Sequence, residues 1–153
     1  MKNLLRLAIL CFLLYSTTAL AAGTVTEEKT FASDTLKVVT LSWACDAQAA
    51  TLTDYLISWD LANFMHGWYV VMVVTDPGAT APTDDYDLTI VDRNSVDIMG
   101  GALANRDTAN SEQAVPIVST AYSPRPVIDR LTLTMSGNAV NAATGAVVIY
   151  LSK

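Results

Sequence analysis

The sequence predicts an all-β protein: a single-domain antiparallel β-sandwich, jelly-roll-like, of about eight strands. Three observations carry this reading. Past residue 23 no stretch keeps a helical apolar period over several turns. Short β-branched and aromatic runs recur instead, at spacings of roughly 8–15 residues, with Gly, Pro, Asn and Asp between them. A chain of 153 residues that is 52% hydrophobic and 16% charged can fill one core and is not disordered.

The elements follow in order. Residues 1–21 read as a secretory signal peptide. Lys2 and Arg6 precede the apolar run Leu7 to Leu14, and Ala19-Leu20-Ala21 is a small-x-small cleavage pattern. The apolar run is shorter than the roughly 20 residues that span a bilayer. The expected mature domain is 22–153, exported or extracellular. Cleavage would remove two of the nine basic residues, Lys2 and Arg6. Seven would then face fifteen acidic ones, and the formal charge would move from −6 to −8. That balance excludes nucleic-acid binding by a basic face. Cys45 would be the one cysteine left, so no internal disulfide is expected; beside Trp43 it reads as a small buried apolar residue.

Thr24 to Phe31 is a polar edge strand. Thr35 to Ala44 places Val39, Leu41 and Trp43 at alternate positions, as a half-buried strand does. Thr51 to Trp59 carries Leu52 and Tyr55-Leu56-Ile57. Trp68 to Val74 is apolar throughout and predicts a central strand buried on both faces. Asp76-Pro77-Gly78 ends it. Tyr86 to Asp92 alternates again. Arg93-Asn94-Ser95 predicts a hairpin turn, with Val96 to Met99 as the return strand. Gly100 to Asn110 is a loop and Ala114 to Val118 a short strand. Ser123-Pro124-Arg125-Pro126 predicts irregular chain, because two prolines remove ladder donors. Leu131 to Met135 and Ala146 to Leu151 are the last strands, joined as a hairpin by Gly137 to Gly145. Ala47 to Thr53 and Leu61 to His66 could each form a short helix.

Candidate chemistry is sparse. Asp76, Asp84, Asp85, Asp87, Asp92 and Asp97 cluster in sequence. Hard oxygen ligands in loops suit Ca²⁺, and Asp92, Asn94 and Asp97 form a candidate structural calcium site. The same residues are good turn formers, and the glycine and final Glu of an EF-hand loop are missing. Paired carboxylates also serve glycoside hydrolysis, but the domain has no long insertion to build a cleft. The sole histidine, His66, precedes Gly67 and reads as a turn residue. Neither a Gly-x-Ser-x-Gly elbow nor a phosphate-binding glycine loop is present. No enzymatic activity and no cofactor are therefore expected beyond the calcium candidate. Trp43 and Trp68 read as core. Trp59, in Ser58-Trp59-Asp60, is the tryptophan expected at the surface, where its ring could stack on a saccharide or a protein ligand.

The segments Val74 to Ile90 (VTDPGATAPTDDYDLTI) and Val96 to Gln113 (VDIMGGALANRDTANSEQ) resemble a family of small proteins encoded by tailed bacteriophages. Its pattern is a strand, TDPGATAPTDxYD, a hairpin with VDxxGGAxANRDT, and a terminal hairpin with a short apolar strand. The likeness runs from about Tyr69 to Leu151. It implies a virion-associated structural protein with no assigned catalytic residue. The expected partners are copies of itself, as a homo-oligomer, or other virion proteins. The leader and the aromatics support the alternative of an exported module that binds a glycan or protein ligand at a cell surface.

Overall fold

The computed structural model describes residues 22–153. The expected leader, 1–21, lies outside them. Among the described residues the strands are β1 (Thr24–Ser33), β2 (Leu36–Ala44), β3 (Tyr55–Leu56), β4 (Tyr69–Pro77), β5 (Asp87–Val91), β6 (Glu112–Ala114), β7 (Ile117–Val118), β8 (Ala121–Tyr122), β9 (Arg125–Pro126), β10 (Thr132–Ser136) and β11 (Thr144–Ser152). One helix, α1 (Trp59–Met65), lies between β3 and β4. All pairings are antiparallel. The larger sheet runs β1-β2-β11-β4-β6, with β9 also on β4; the smaller runs β3-β10-β5; β7 and β8 form a separate pair.

Strand periodicity makes this a sandwich. Side chains alternate between faces, so each half-apolar strand has one face to bury. In β2 the inward set is Lys37, Val39, Leu41 and Trp43. Val147, Ile149 and Leu151 of β11 continue it, with Val70 and Val73 of β4. Leu88 and Ile90 of β5 and Leu133 of β10 come from the smaller sheet and join the same core. The all-β sandwich expected from the sequence is the architecture observed.

The elements depart from expectation in instructive places. β4 is buried on one face only: Val70, Val73 and Thr75 point inward, while Met72 and Val74 are half-buried on the outer face. A two-layer antiparallel sandwich leaves the outer face of each sheet to solvent, whatever its apolar content. The return strand expected at Val96–Met99 shrinks to one bridge, Val91 to Asp97. The Asp97 carboxylate takes the amides of Met99 and Gly101 (2.9 and 2.6 Å), which ends the ladder. The segment Ala114–Val118 is split into β6 and β7 around Pro116. Arg125 and Pro126, expected to be irregular, pair with the outer edge of β4 for two residues, a place where proline is tolerated. The final hairpin is not one: β10 and β11 belong to different sheets. Their linker crosses between layers and is pinned by Asn138. Its Nδ2 donates to the carbonyls of Ala50 and Val140, and its Oδ1 accepts from the amide of Thr83.

Of the two expected helices only α1 forms. Ser58 caps it, its hydroxyl accepting from the Leu61 amide at 3.1 Å, and Asp60 sits in the first turn. The helix buries Leu61, Ala62 and Met65. It stops at His66, because Gly67 turns into the left-handed region (φ 76°).

Candidate interaction surface

The inward-leaning face of β1 carries Val25, Glu27, Lys29 and Phe31, and each charged residue on it is tied to the α1 region. Glu27 is the hub. Its carboxylate accepts from the Tyr55 hydroxyl (3.0 Å), the Ser58 amide (2.7 Å) and the Ser58 hydroxyl (2.5 Å). One acidic side chain thus holds β3 and the helix cap against the edge strand. Burial, and then the adjacent Glu27, push the Tyr55 phenol above its ordinary pKa. Lys29 pairs with Asp60. Glu27→Ala removes three charge-assisted bonds and is expected to cost about 2–3 kcal/mol. Urea denaturation would measure this; an unchanged midpoint would refute the hub role.

Exposed apolar side chains lie on β1 and on the segment that Glu27 holds against it. Phe31 is 66% exposed and meets Phe64 edge-on at 4.8 Å between centroids. Trp59 is 64% exposed, with the Arg130 guanidinium 4.9 Å from its ring centre. Leu56 is also exposed. The Arg130 Nε donates to the Ile57 carbonyl at 2.6 Å, so the cation that backs Trp59 is itself fixed to β3's end. Beneath Phe31 lies Lys37, which is 6% exposed and has its ammonium against the rings of Phe64, Trp68 and Phe31. Phe31 and Lys37 escaped sequence reasoning. Both were signalled by parity: Lys37 shares the inward register of Val39, Leu41 and Trp43, and Phe31 is the one large apolar residue in a polar strand.

The calcium candidates fall in one turn. The Asp92 Oδ1 accepts from the amides of Asn94 (2.8 Å) and Val96 (3.0 Å), and Asp97 lies across the bridge on the turn's other arm. The Val96 amide, opposed by burial and helped by Asn94, holds the Asp92 carboxyl below the usual range. Other aspartates work the same way. Asp46 takes the amides of Gln48 and Ala49, Asp87 that of Asn105, and Asp107 those of Ala109 and Asn110. Asp46, Asp92, Asp97 and Asp107 act as turn builders by accepting local amides, whereas Asp87 ties β5 to a distant loop. Among the described residues no three His, Cys, Asp or Glu side chains are grouped to hold a metal ion.

Two of the shallow hollows among the described residues hold aspartates. One, of about 330 Å³, is lined by Asp92, Ile98, Arg125, Ile128, Asp129 and Leu131. The other, of about 380 Å³, lies over Ser42, Thr144 and Gly145 with Asp76 at its side. The Asp76 carboxylate accepts from Ser111 at 2.6 Å. Cys45 is buried; burial disfavours the thiolate and raises the thiol pKa, and the N–H that Asn138 donates to the sulfur offsets only part of this. His66 is exposed at the end of α1, in a different segment. Comparison with protein-family models, curated proteins and solved structures found no match.

Proposed function

We propose that the chain is a non-enzymatic structural component of a phage-type particle, which works by assembling with copies of itself or with other particle proteins. The observation that carries the reading is an open edge strand that bears an exposed Phe31 and is tied through Glu27 and Lys29 to the segment carrying the exposed Leu56 and Trp59. Such surfaces mark sites of association more often than free monomer surface. The phage-like block, Val74 to Gln113, supports it from another direction, since it spans β5, β6 and the aspartate-capped turns between them. The test has two arms. Mass spectrometry of purified particles is expected to detect the chain, and sedimentation of the isolated protein is expected to show an oligomer. A chain absent from particles and monomeric in solution would sink the proposal.

Trp59 favours a second reading, an exported module with a glycan or protein ligand at a cell surface. Its ring is open to solvent and its back is fixed by Arg130, the arrangement a stacking platform needs. Glycan-array or cell-surface binding that vanishes in Trp59→Ala would support this reading; equal binding by the variant would remove it.

A further inference from the structure

The hollow between Asp92 and Arg125 has the lining of a small-molecule site: aliphatic side chains with a few charged and hydroxyl groups among them. We propose that it binds a neutral mono- or disaccharide, whose C–H face rests on Ile128 and Leu131 and whose hydroxyls bond Asp92, Ser123 and Arg125. The inference goes beyond self-assembly. It shares the ligand class of the second reading but not its site: Asp129 and Leu131 line the hollow, while Arg130 between them backs Trp59.

Size and rigidity come first. The hollow holds about 330 Å³, at the lower end of the range of about 300–1,000 Å³ for small-ligand sites. Ile98 and Leu131 are buried, whereas Ile128 is 67% exposed, an aliphatic side chain that a ligand would cover. One wall is the Asp92 turn, closed by the Asp92 amide on the Val96 carbonyl and the Ser95 amide on the Asp92 carbonyl, both at 3.0 Å. The other is Pro124-Arg125-Pro126. Its proline rings fix φ, Arg125 and Pro126 pair with the edge of β4, and the next amide, that of Val127, donates to the Trp68 carbonyl at 2.8 Å. The Arg93–Asp129 ion pair (2.9 Å) ties the turn to the chain beyond this wall. A site held in shape before binding loses little entropy when a ligand enters.

The charged groups left over match hydroxyls. Both amides that Asp92 takes reach its Oδ1 (2.8 and 3.0 Å), so Oδ2 accepts no amide. The Val96 amide first, and Arg125 among the lesser causes, hold the Asp92 carboxyl below the usual range. Among the described residues Arg125 forms no ion pair. The hollow thus offers an ionised acceptor and an ionised donor, and bonds to such groups are about twice as strong as neutral ones. A sugar hydroxyl can donate to the first and accept from the second. The charges also balance: Arg93 neutralises Asp129, and Arg125 stands near Asp92. A ligand with net charge would find no counter-charge to spare, so a neutral one with an apolar face is the better match.

Titration of the isotope-labelled chain with the methyl glycosides of glucose, galactose, mannose and N-acetylglucosamine, followed by NMR, tests the site. At least one glycoside is expected to shift the amides of Asp92 to Val96 and of Arg125 to Asp129, with a Kd of about millimolar. Asp92→Asn keeps an oxygen for the amides of the turn and loses the charge; Arg125→Gln loses the guanidinium and keeps the backbone pairing with β4. Each should weaken binding about tenfold and leave the amides outside the hollow where they are. Ile128→Ser, at an exposed side chain, should weaken it severalfold. Trp59→Ala should leave it unchanged. No shift at about 50 mM glycoside, equal affinity in the Asp92 and Arg125 variants, or loss of binding in Trp59→Ala overturns the site. Glycine or a short neutral peptide that shifts these amides where no glycoside does overturns the saccharide assignment. Self-assembly, read by sedimentation, stands or falls separately from all of these.

Discussion

Trp43→Ala is expected to lower the unfolding free energy by about 3–5 kcal/mol, the range for deleting a buried indole. Trp43 is 2% exposed and packs against Tyr86, which is fully buried, with centroids 6.1 Å apart and planes tilted by 58°. The indole lies across Gly145, its partner in the neighbouring strand. A Cβ at Gly145 would stand 2.8 Å from Trp43 Cε2 and 2.7 Å from the Asp76 carbonyl oxygen. A glycine inside a strand ordinarily weakens it; here it is the floor that lets the indole lie flat. Gly145→Ala should therefore destabilise too. Its cost should fall by at least about 1 kcal/mol in a Trp43→Ala background, because contacting residues do not act additively. The remainder belongs to the Asp76 backbone, which cannot move aside as a side chain can. Trp43 Nε1 and the Tyr86 hydroxyl have no hydrogen-bond partner among the described residues, and burial pushes the Tyr86 phenol up to about 12. Tyr86→Phe is accordingly expected to be neutral or stabilising, since it removes an unpaired buried polar group. Urea denaturation of the four variants checks the set. A Trp43→Ala loss below about 1 kcal/mol would show that this end of the core is not close-packed.

The parts of this arrangement that were legible in the sequence are those set by local periodicity. Val39, Leu41 and Trp43 alternate, as do Leu88 and Ile90, and those strands face the core as alternation requires. The polar composition of Thr24 to Phe31 marked an edge, and β1 is one. What failed was long-range. Nothing in Leu131 to Leu151 says that its two strands enter different sheets, because the linker crosses layers through Asn138, whose partners Ala50 and Thr83 are remote in sequence. Nothing in Trp68 to Val74 says that only one face is covered, since the number of layers is a property of the whole chain. The aspartates could be read as metal ligands or as turn builders. The structure shows which amides they reach, and so the turn-building role, which depends on backbone geometry that the sequence does not display. The exposed apolar surface was half visible: Trp59 itself stood out, whereas Phe31 and Lys37 acquire their neighbours only when β1, β2 and α1 are brought together.

Lys37→Glu is expected to destabilise the fold by about 2–3 kcal/mol, because it exchanges an ammonium for a carboxylate beside a carbonyl oxygen and ring faces. The Lys37 ammonium donates to the Phe64 carbonyl and sits 4.2 Å from the Trp68 ring centre, 4.3 Å from Phe64 and 5.0 Å from Phe31. Every one of these neighbours presents negative potential, ring faces included. A carboxylate in the same place would be repelled by all four. Among the described residues no carboxylate pairs with Lys37, and Lys153 is a second cation near it. Burial and then Lys153 lower the Lys37 pKa, so the rings return only part of the hydration that the ammonium loses. Lys37→Met keeps the length and apolar stem and should be neutral or mildly stabilising at neutral pH. The sign of the pH dependence follows from the same shift. Between the lowered folded pKa and the ordinary lysine value the unfolded chain binds more protons, so the parent's stability should rise with pH there. Below that window the penalty of the buried charge is fully present. Lys37→Met should abolish the rise. Denaturation midpoints at neutral and alkaline pH separate the cases. If Lys37→Glu is tolerated, or Lys37→Met is destabilised by more than about 2 kcal/mol, the aromatic cage is not what holds the β1 end of the sheet to α1.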